Sequence, residues 1–398
     1  MVLSRKLQVL IACAIFFLMY ILIISSPATV VVDQPQTSYF LGNDGCSCTH
    51  KNVTYDFCYH LPKNWTIKGR RFNCSFSSHL EKLGLLSKAK VIDLMTEKMP
   101  TPMFVSAMSE NHFMEGLNLI ANIRRFWPRQ RVIVYDLGLK PKTKKKLQEM
   151  CLVEVRRFPF KSYPHYVRQL KQYRWKPLLI AMMLKEFGAL WYMDTSIRWK
   201  RDCRDSVYSE ITCRSGLNRT FTRSPLTTVP INANCTKPAY MLHLPADHGI
   251  FPATHPGMYK YIPTDIDAIK KKSAMVHNAG FAFIVRTAEA MDLLKWYALC
   301  ALEDECMAPH GAKRRCNFKN DRFNRYADCH RYDQSAINLL LANSYGYDIA
   351  NYISNIGNGA TIILQFRITD WRSWADVKVE RVAKHDKPTQ SELLLKIH

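Results

Sequence analysis

ALWYMDTSIRW, residues 189–199, joins an apolar run, Ala189 to Met193, to the polar cluster Asp194, Thr195 and Ser196. A short apolar run ending at a polar cluster reads as a buried strand opening into a loop. Residues i and i+2 of an extended chain face one side, so Asp194 and Ser196 project together. A carboxylate beside a hydroxyl suits Mg²⁺ or Mn²⁺, hard cations that take oxygen ligands and complete their shell with substrate phosphates. Arg198, Lys200 and Arg201 follow at once and suit a diphosphate. A second reading stands beside this one, in which Asp194 is a strand-end residue capping a turn.

Upstream, the chain alternates strand and helix. Met103 to Ala107 is a first apolar run, followed by Phe113, Leu117, Ile120 and Ala121 at helical spacing up to the breaker Pro128. Arg131 to Tyr135 predicts a second strand ending at Asp136, Lys140 to Met150 a second helix, and Leu152 to Phe158 a third strand. Pro177 suits the first turn of a helix that runs to Phe187 and is closed by Gly188. This βαβ alternation predicts an α/β fold with a mostly parallel sheet flanked by helices. Such sheets bind ligands beyond the carboxyl ends of their strands, so the residues just after each strand carry the chemistry.

Three further positions follow from that rule. Asp136 is placed either to meet a nucleotide base or ribose or to hold the turn before Gly138. His277-Asn278-Ala279-Gly280 precedes the apolar run Phe281 to Val285; its small residues permit close backbone approach, although an ordinary turn reads the same way. Asp333 and Gln334 open a helix whose apolar positions are Ile337, Leu340 and Leu341. Asp333 is either a helix cap or a general base that takes a proton from an acceptor hydroxyl.

In this order and context the segments Asp194-Thr195-Ser196, Asn278-Ala279-Gly280 and Asp333-Gln334 resemble the D-x-D, N-A-G and D-Q segments of nucleotide-sugar-dependent glycosyltransferases of the GT-A fold. The sequence looks closest to a sparsely characterised animal family of type II membrane glycosyltransferases, with VIVYDLGL and YDQSAINLLL among the recurrent segments, and the resemblance covers roughly Pro102 to Trp374. It implies a GT-A-like, Rossmann-type domain that moves a sugar from a nucleotide-sugar to a hydroxyl acceptor on a glycan or glycoprotein. Asp136, Asp194, Ser196, Arg198, Asn278 and Gly280 would hold the donor, and Asp333 and Gln334 would serve catalysis. Asp194, Ser196 and His330 would hold Mn²⁺ or Mg²⁺. Ser196 departs from the pattern, because a neutral hydroxyl replaces the second acid and weakens metal attraction. The alternative is a non-catalytic glycan-binding relative on the same fold.

The rest of the chain bears on compartment. Its formal charge is +23, from 56 Lys+Arg against 33 Asp+Glu, which raises nucleic acid as a partner. The amino terminus argues against that, because residues 7–24 form an apolar run of membrane scale after Arg5 and Lys6. The run is long for a cleavable signal. The expected layout is a cytoplasmic tail at 1–6, a transmembrane anchor at 7–24, a lumenal cysteine-rich stem at 25–99, a catalytic domain at 100–375 and a tail at 376–398, in a single-pass type II protein of the Golgi or ER membrane. Sequons at Asn52, Asn64, Asn73, Asn218 and Asn234 agree with a lumenal setting. Twelve of the 13 cysteines follow the span; in an oxidising compartment they are expected to pair locally, within Cys46 to Cys74 and within later groups. Zinc fits poorly, since no C-x₂-C spacing occurs. No G-x-S-x-G, Walker A, H-E-x-x-H or G-x-G-x-x-G motif is present, which leaves hydrolase, kinase and zinc-protease readings without an anchor.

Overall fold

The computed structural model describes residues 45–87, 90–212, 237–357 and 361–363. The expected anchor at 7–24, the sequons Asn218 and Asn234 and the tail at 376–398 lie outside the described residues. Among the described residues no helix is long and apolar enough to cross a membrane.

The centre is a six-stranded sheet built from β1 (Met103–Met108), β2 (Val132–Asp136), β3 (Val153–Arg157), β4 (Ala189–Met193), β5 (Tyr240–Leu242) and β6 (Phe281–Val285), in the order β5-β6-β4-β1-β2-β3. β1 to β4 are parallel, and β6 alone runs against the other five. Every residue of β2, β4 and β6 is buried, which explains their unbroken apolar sequences: a strand covered on both faces has no solvent side to mark with polar residues. The crossovers are α1 (Phe113–Phe126), α2 (Pro141–Gln148) and α3 (Trp175–Phe187). Gly188 ends α3 at φ +75, a left-handed cap that glycine adopts without Cβ strain. α4 (Ala288–Leu302) and α5 (Asp333–Ser344) complete the packing.

The reversed strand matters most for function. Phe281 pairs with Met193 and Val285 with Ala189, so β6 begins where β4 ends. That register places Asn278-Ala279-Gly280 beside Asp194-Thr195-Ser196, and the Asp194 N–H donates to the Gly280 carbonyl at 2.7 Å.

Residues 45–87 share their apolar core with the sheet. Two small hairpins, Ser47–His50 with Val53–Asp56 and His60–Leu61 with Asn64–Lys68, are held by Cys46–Cys58 and Cys48–Cys74. Phe57, Tyr59, Phe72, Leu80 and Leu83 are buried in the main core, and Tyr59 meets Trp296 of α4 edge to face at 5.5 Å. The cysteine-rich segment therefore packs as part of the sheet domain, across the boundary expected near residue 99. Asn52, Asn64 and Asn73 are all exposed. Cys300–Cys306 and Cys316–Cys329 are local pairs of the expected kind, whereas Cys151 and Cys203 are free thiols.

Thiol labelling of the native chain is expected to modify the exposed Cys151, to reach the buried Cys203 only on unfolding, and to reach Cys300, Cys306, Cys316 and Cys329 only after reduction. Mass spectrometry of labelled peptides reads this directly, and a labelled Cys316 in unreduced protein would contradict the pairing.

Candidate functional site

At the carboxyl end of β4 a cavity of ≈ 160 Å³ is lined by Asp194, Ser196, Asn278, Gly280, Asp333 and Gln334, together with Tyr173, Lys176, Arg314, Arg331 and Tyr332. The three motif segments, separated widely in sequence, thus meet at one place.

Each is fixed by a local device. Asp194 follows β4 and is one third exposed; its Oδ1 accepts from the Tyr192 hydroxyl at 2.6 Å. A Cβ on Gly280 would sit 2.4 Å from Asp194 Oδ2, so only glycine admits the carboxylate there. The Asn278 side chain donates to the carbonyls of Leu244 and Pro245 at 3.2 and 3.1 Å, tying its loop to the neighbouring segment. Asn338, fully buried in α5, accepts from the His277 N–H and donates to the His277 carbonyl, both at 2.7 Å. This paired contact seats the second turn of α5 against the Asn278 loop. Tyr332, just before α5, has φ +47, and Tyr173, just before α3, has φ +55. Two bulky side chains in the left-handed region therefore border one cavity, a conformation that costs of order 1–3 kcal/mol each and persists only where the surroundings enforce it.

The centre of the site is a residue that the sequence reading passed over. Lys176 Nζ donates to Asp333 Oδ2 at 2.6 Å and lies 3.3 Å from Asp194 Oδ2. Its side chain is 3% exposed and that of Asp333 is 7% exposed. Burial opposes charge on Lys176, but Asp194 and Asp333 hold its ammonium above the ordinary lysine value. Burial likewise raises Asp333, against the pull of Lys176. Gln334 Nε2 is buried at the same cavity with no hydrogen-bond partner, a donor left over for a ligand hydroxyl or phosphate oxygen.

Two expected residues belong elsewhere. His330 is fully buried, its Nδ1 accepting from the His255 N–H at 3.1 Å and its Nε2 facing the Met307 carbonyl at 3.0 Å. Both ring nitrogens are occupied and burial lowers its pKa to about 3, so it is a structural imidazole and not a metal ligand. Arg198 is also buried: Nη1 donates to the carbonyls of Thr195 and Ile197 at 2.6 and 2.7 Å, and Nη2 to that of Glu115 at 3.0 Å. Burial lowers it to about 10. Its guanidinium ties the β4 loop to α1 and has no place in the cavity.

Asp136 lines a second cleft, of ≈ 900 Å³, with Lys144, Arg157, Lys161 and Arg168. Its Oδ1 accepts from the N–H groups of Gly138 and Leu139 at 2.8 and 2.7 Å, and its Oδ2 lies 3.4 Å from Lys144 Nζ. Of its two sequence readings, this geometry fills the turn role.

A divalent metal fits the first cavity poorly. Asp194 brings the one carboxylate of its motif, already shared with Lys176 and Tyr192, Ser196 is neutral, and His330 faces away. Among the described residues, the one trio of His, Cys, Asp or Glu side chains close enough to share an ion is Cys46, Asp56 and Cys58, whose cysteines are joined as a disulfide.

Removing the ammonium leaves two facing carboxylates without compensation, so Lys176→Met is expected to cost about 3–5 kcal/mol of stability. Asp333→Asn in the same chain should recover much of that loss. The penalty should shrink as pH falls: a buried carboxyl whose folded value is raised contributes stability below its unfolded value and loses it as pH rises. Denaturant melts of the two single variants and the double variant at pH 5 and pH 8 measure all three effects.

Residues 46–181 match the model of a family described as "Protein of unknown function (DUF1647)". No curated protein matches the chain. Among solved structures, the apo WbbM bifunctional glycosyltransferase is 11% identical with a TM-score of 0.32, over 66% of this chain and 40% of that one. The galactosyltransferase LgtC in complex with donor and acceptor sugar analogs is 13% identical, TM-score 0.31, over 64% and 73%. Core-mannan synthase A from Aspergillus fumigatus, in a Mn/GDP form, is 10% identical, TM-score 0.35, over 66% and 76%. Overlaps of this size assign no activity.

Proposed function

We propose that this chain is a glycosyltransferase that moves a sugar from a nucleotide-sugar to a hydroxyl acceptor on a glycan or glycoprotein. We place it in the Golgi or ER membrane as a type II protein, anchored by residues 7–24 with the sheet domain lumenal. The observation that carries the reading is the meeting of Asp194 and Ser196, Asn278 and Gly280, and Asp333 and Gln334 around one cavity at the carboxyl end of a parallel strand.

The chemistry follows from the side chains. The bond between the sugar's anomeric carbon and the diphosphate oxygen breaks, and its electron pair leaves with the diphosphate. The acceptor oxygen bonds the same carbon and gives up its proton. Asp333 is the base in this reading: burial raises its proton affinity, the direction that a base working near neutral pH requires. Lys176 holds that carboxylate in place, and the spare Gln334 Nε2 donates to the substrate. Asp194 and the Asn278 loop position the donor, so that orientation supplies much of the rate.

Turnover of a panel of nucleotide-sugars by the full-length chain in detergent tests the reading. Asp194→Asn and Asp333→Asn are each expected to lower turnover at least about 100-fold, the scale of losing one fixed electrostatic group at a reacting centre. Identical nucleotide titrations for wild type and Asp194→Asn would remove Asp194 from the site. Glycan binding without any nucleotide binding would replace the transferase with a lectin-like role. For topology, glycosidase treatment should shift the protein's mobility while the amino terminus remains at or beside Met1; a new terminus near residues 27–32 would overturn the anchor.

A further inference from the structure

The charges at the cavity do not match a metal-bridged diphosphate. Asp194 and Asp333 contribute two negative charges, and both are already engaged by one ammonium, Lys176. Two more cations line the same cavity, Arg314 and Arg331, and both are exposed. Among the described residues neither guanidinium has a hydrogen-bond or ion-pair partner in the protein. With Lys176 they leave the cavity one positive charge in excess over its carboxylates.

The two arginines are held there by construction. They flank the Cys316–Cys329 disulfide. The His330 N–H donates to the Lys313 carbonyl at 2.7 Å, and the Arg331 N–H to the Ala253 carbonyl at 3.1 Å. Ser335 accepts from the same Arg331 N–H at 3.0 Å. The Tyr332 hydroxyl donates to the Ala312 carbonyl at 3.3 Å. A clipped loop presenting two unpaired guanidiniums over a cavity is suited to phosphate, which arginine engages through paired N–H donors.

We propose that Arg314 and Arg331 bind the donor diphosphate and that the site works without a divalent metal ion. The inference rests on the glycosyl-transfer reading and specifies how that site handles its leaving group. As the anomeric carbon–oxygen bond breaks, the electron pair and its added negative charge pass to the diphosphate under the two guanidiniums. The acceptor oxygen forms the new bond, and its proton goes to Asp333. Ser196, where the resembling pattern has an acid, is neutral because no cation has to be shared between two carboxylates and the diphosphate.

Calorimetric titration of the full-length chain in detergent with UDP, GDP, UMP, GMP and inorganic pyrophosphate, in EDTA and in Mn²⁺, tests this. At least one nucleoside diphosphate should bind with affinity that agrees within about 2-fold in the two buffers, since screened side-chain cations need no added ion. Arg314→Gln and Arg331→Gln should each weaken that diphosphate about 10-fold or more while changing the matching monophosphate far less, with Lys at either position restoring part of the loss. A merely structural role would move both nucleotides together, and unchanged melting temperatures keep folding out of the comparison. Ser196→Asp should gain Mn²⁺ binding, seen as loss of free-ion spin resonance, that the wild type lacks. Diphosphate binding that vanishes in EDTA and returns with Mn²⁺ overturns the inference while leaving the transferase reading intact. Absence of nucleotide binding in both buffers by a folded chain overturns both.

Discussion

A single buried ammonium organises the site. Lys176 enters from the first turn of α3 and is shared by Asp333 from α5 and Asp194 from the end of β4. Taking ions out of water costs several kcal/mol each, and a lysine this deeply buried persists only because carboxylates meet it. The same requirement runs the other way, since Asp333 is nearly as buried and, among the described residues, Lys176 is the cation paired with it. The position of α5 against the sheet is therefore tied to a charge on a different helix, and the Asn338 contact with His277 supplies the neutral half of that docking.

The sheet was largely readable from sequence, because strands covered on both faces are continuous apolar runs and their boundaries carry strong punctuation. The strand expected at Ala189 to Met193 has those limits in the structure, and Gly188 closes the preceding helix as its position suggests. The reversed direction of β6 was not readable: an antiparallel strand buried on both faces has the same apolar pattern as a parallel one. Polar residues were harder still. Lys176 ends a basic, aromatic stretch and carries no periodic signal; only its carboxylate partners, one of them 157 residues away, distinguish it from a solvated lysine. Asn338 interrupts an apolar helix face, which was the available hint that something polar would have to be satisfied inside.

Arg198 and His330 failed for one shared reason. Both types are ordinary ligand-binding residues, and both sit beside motif residues in the sequence. Nearness along the chain does not determine direction, however: the backbone turns at Asp194 to Ile197, and Arg198 is directed to the carbonyls of its own loop and of α1. His330 similarly spends its two nitrogens joining the segments of His255 and Met307. The cysteine-rich segment extends the same lesson to domain boundaries. Its polar, sequon-bearing sequence reads as a stem, but Phe57, Tyr59 and Phe72 are fully or almost fully buried and share the core of the sheet. Scattered aromatics among polar residues leave no period from which to infer burial.

The reversed β6 also governs when the site comes into being. During synthesis Lys176 and Asp194 emerge close together, 18 residues apart, but Gly280 and then Asp333 arrive much later. Until β6 has paired with β4 and α5 has closed over it, the ammonium stays hydrated and the cavity has only half its wall. Contacts of such long sequence separation form slowly and in concert with the whole sheet. A nascent or truncated chain ending before α5 would carry two of the three motif segments but lack Asp333 and Gln334, so assembly of the site waits for α5.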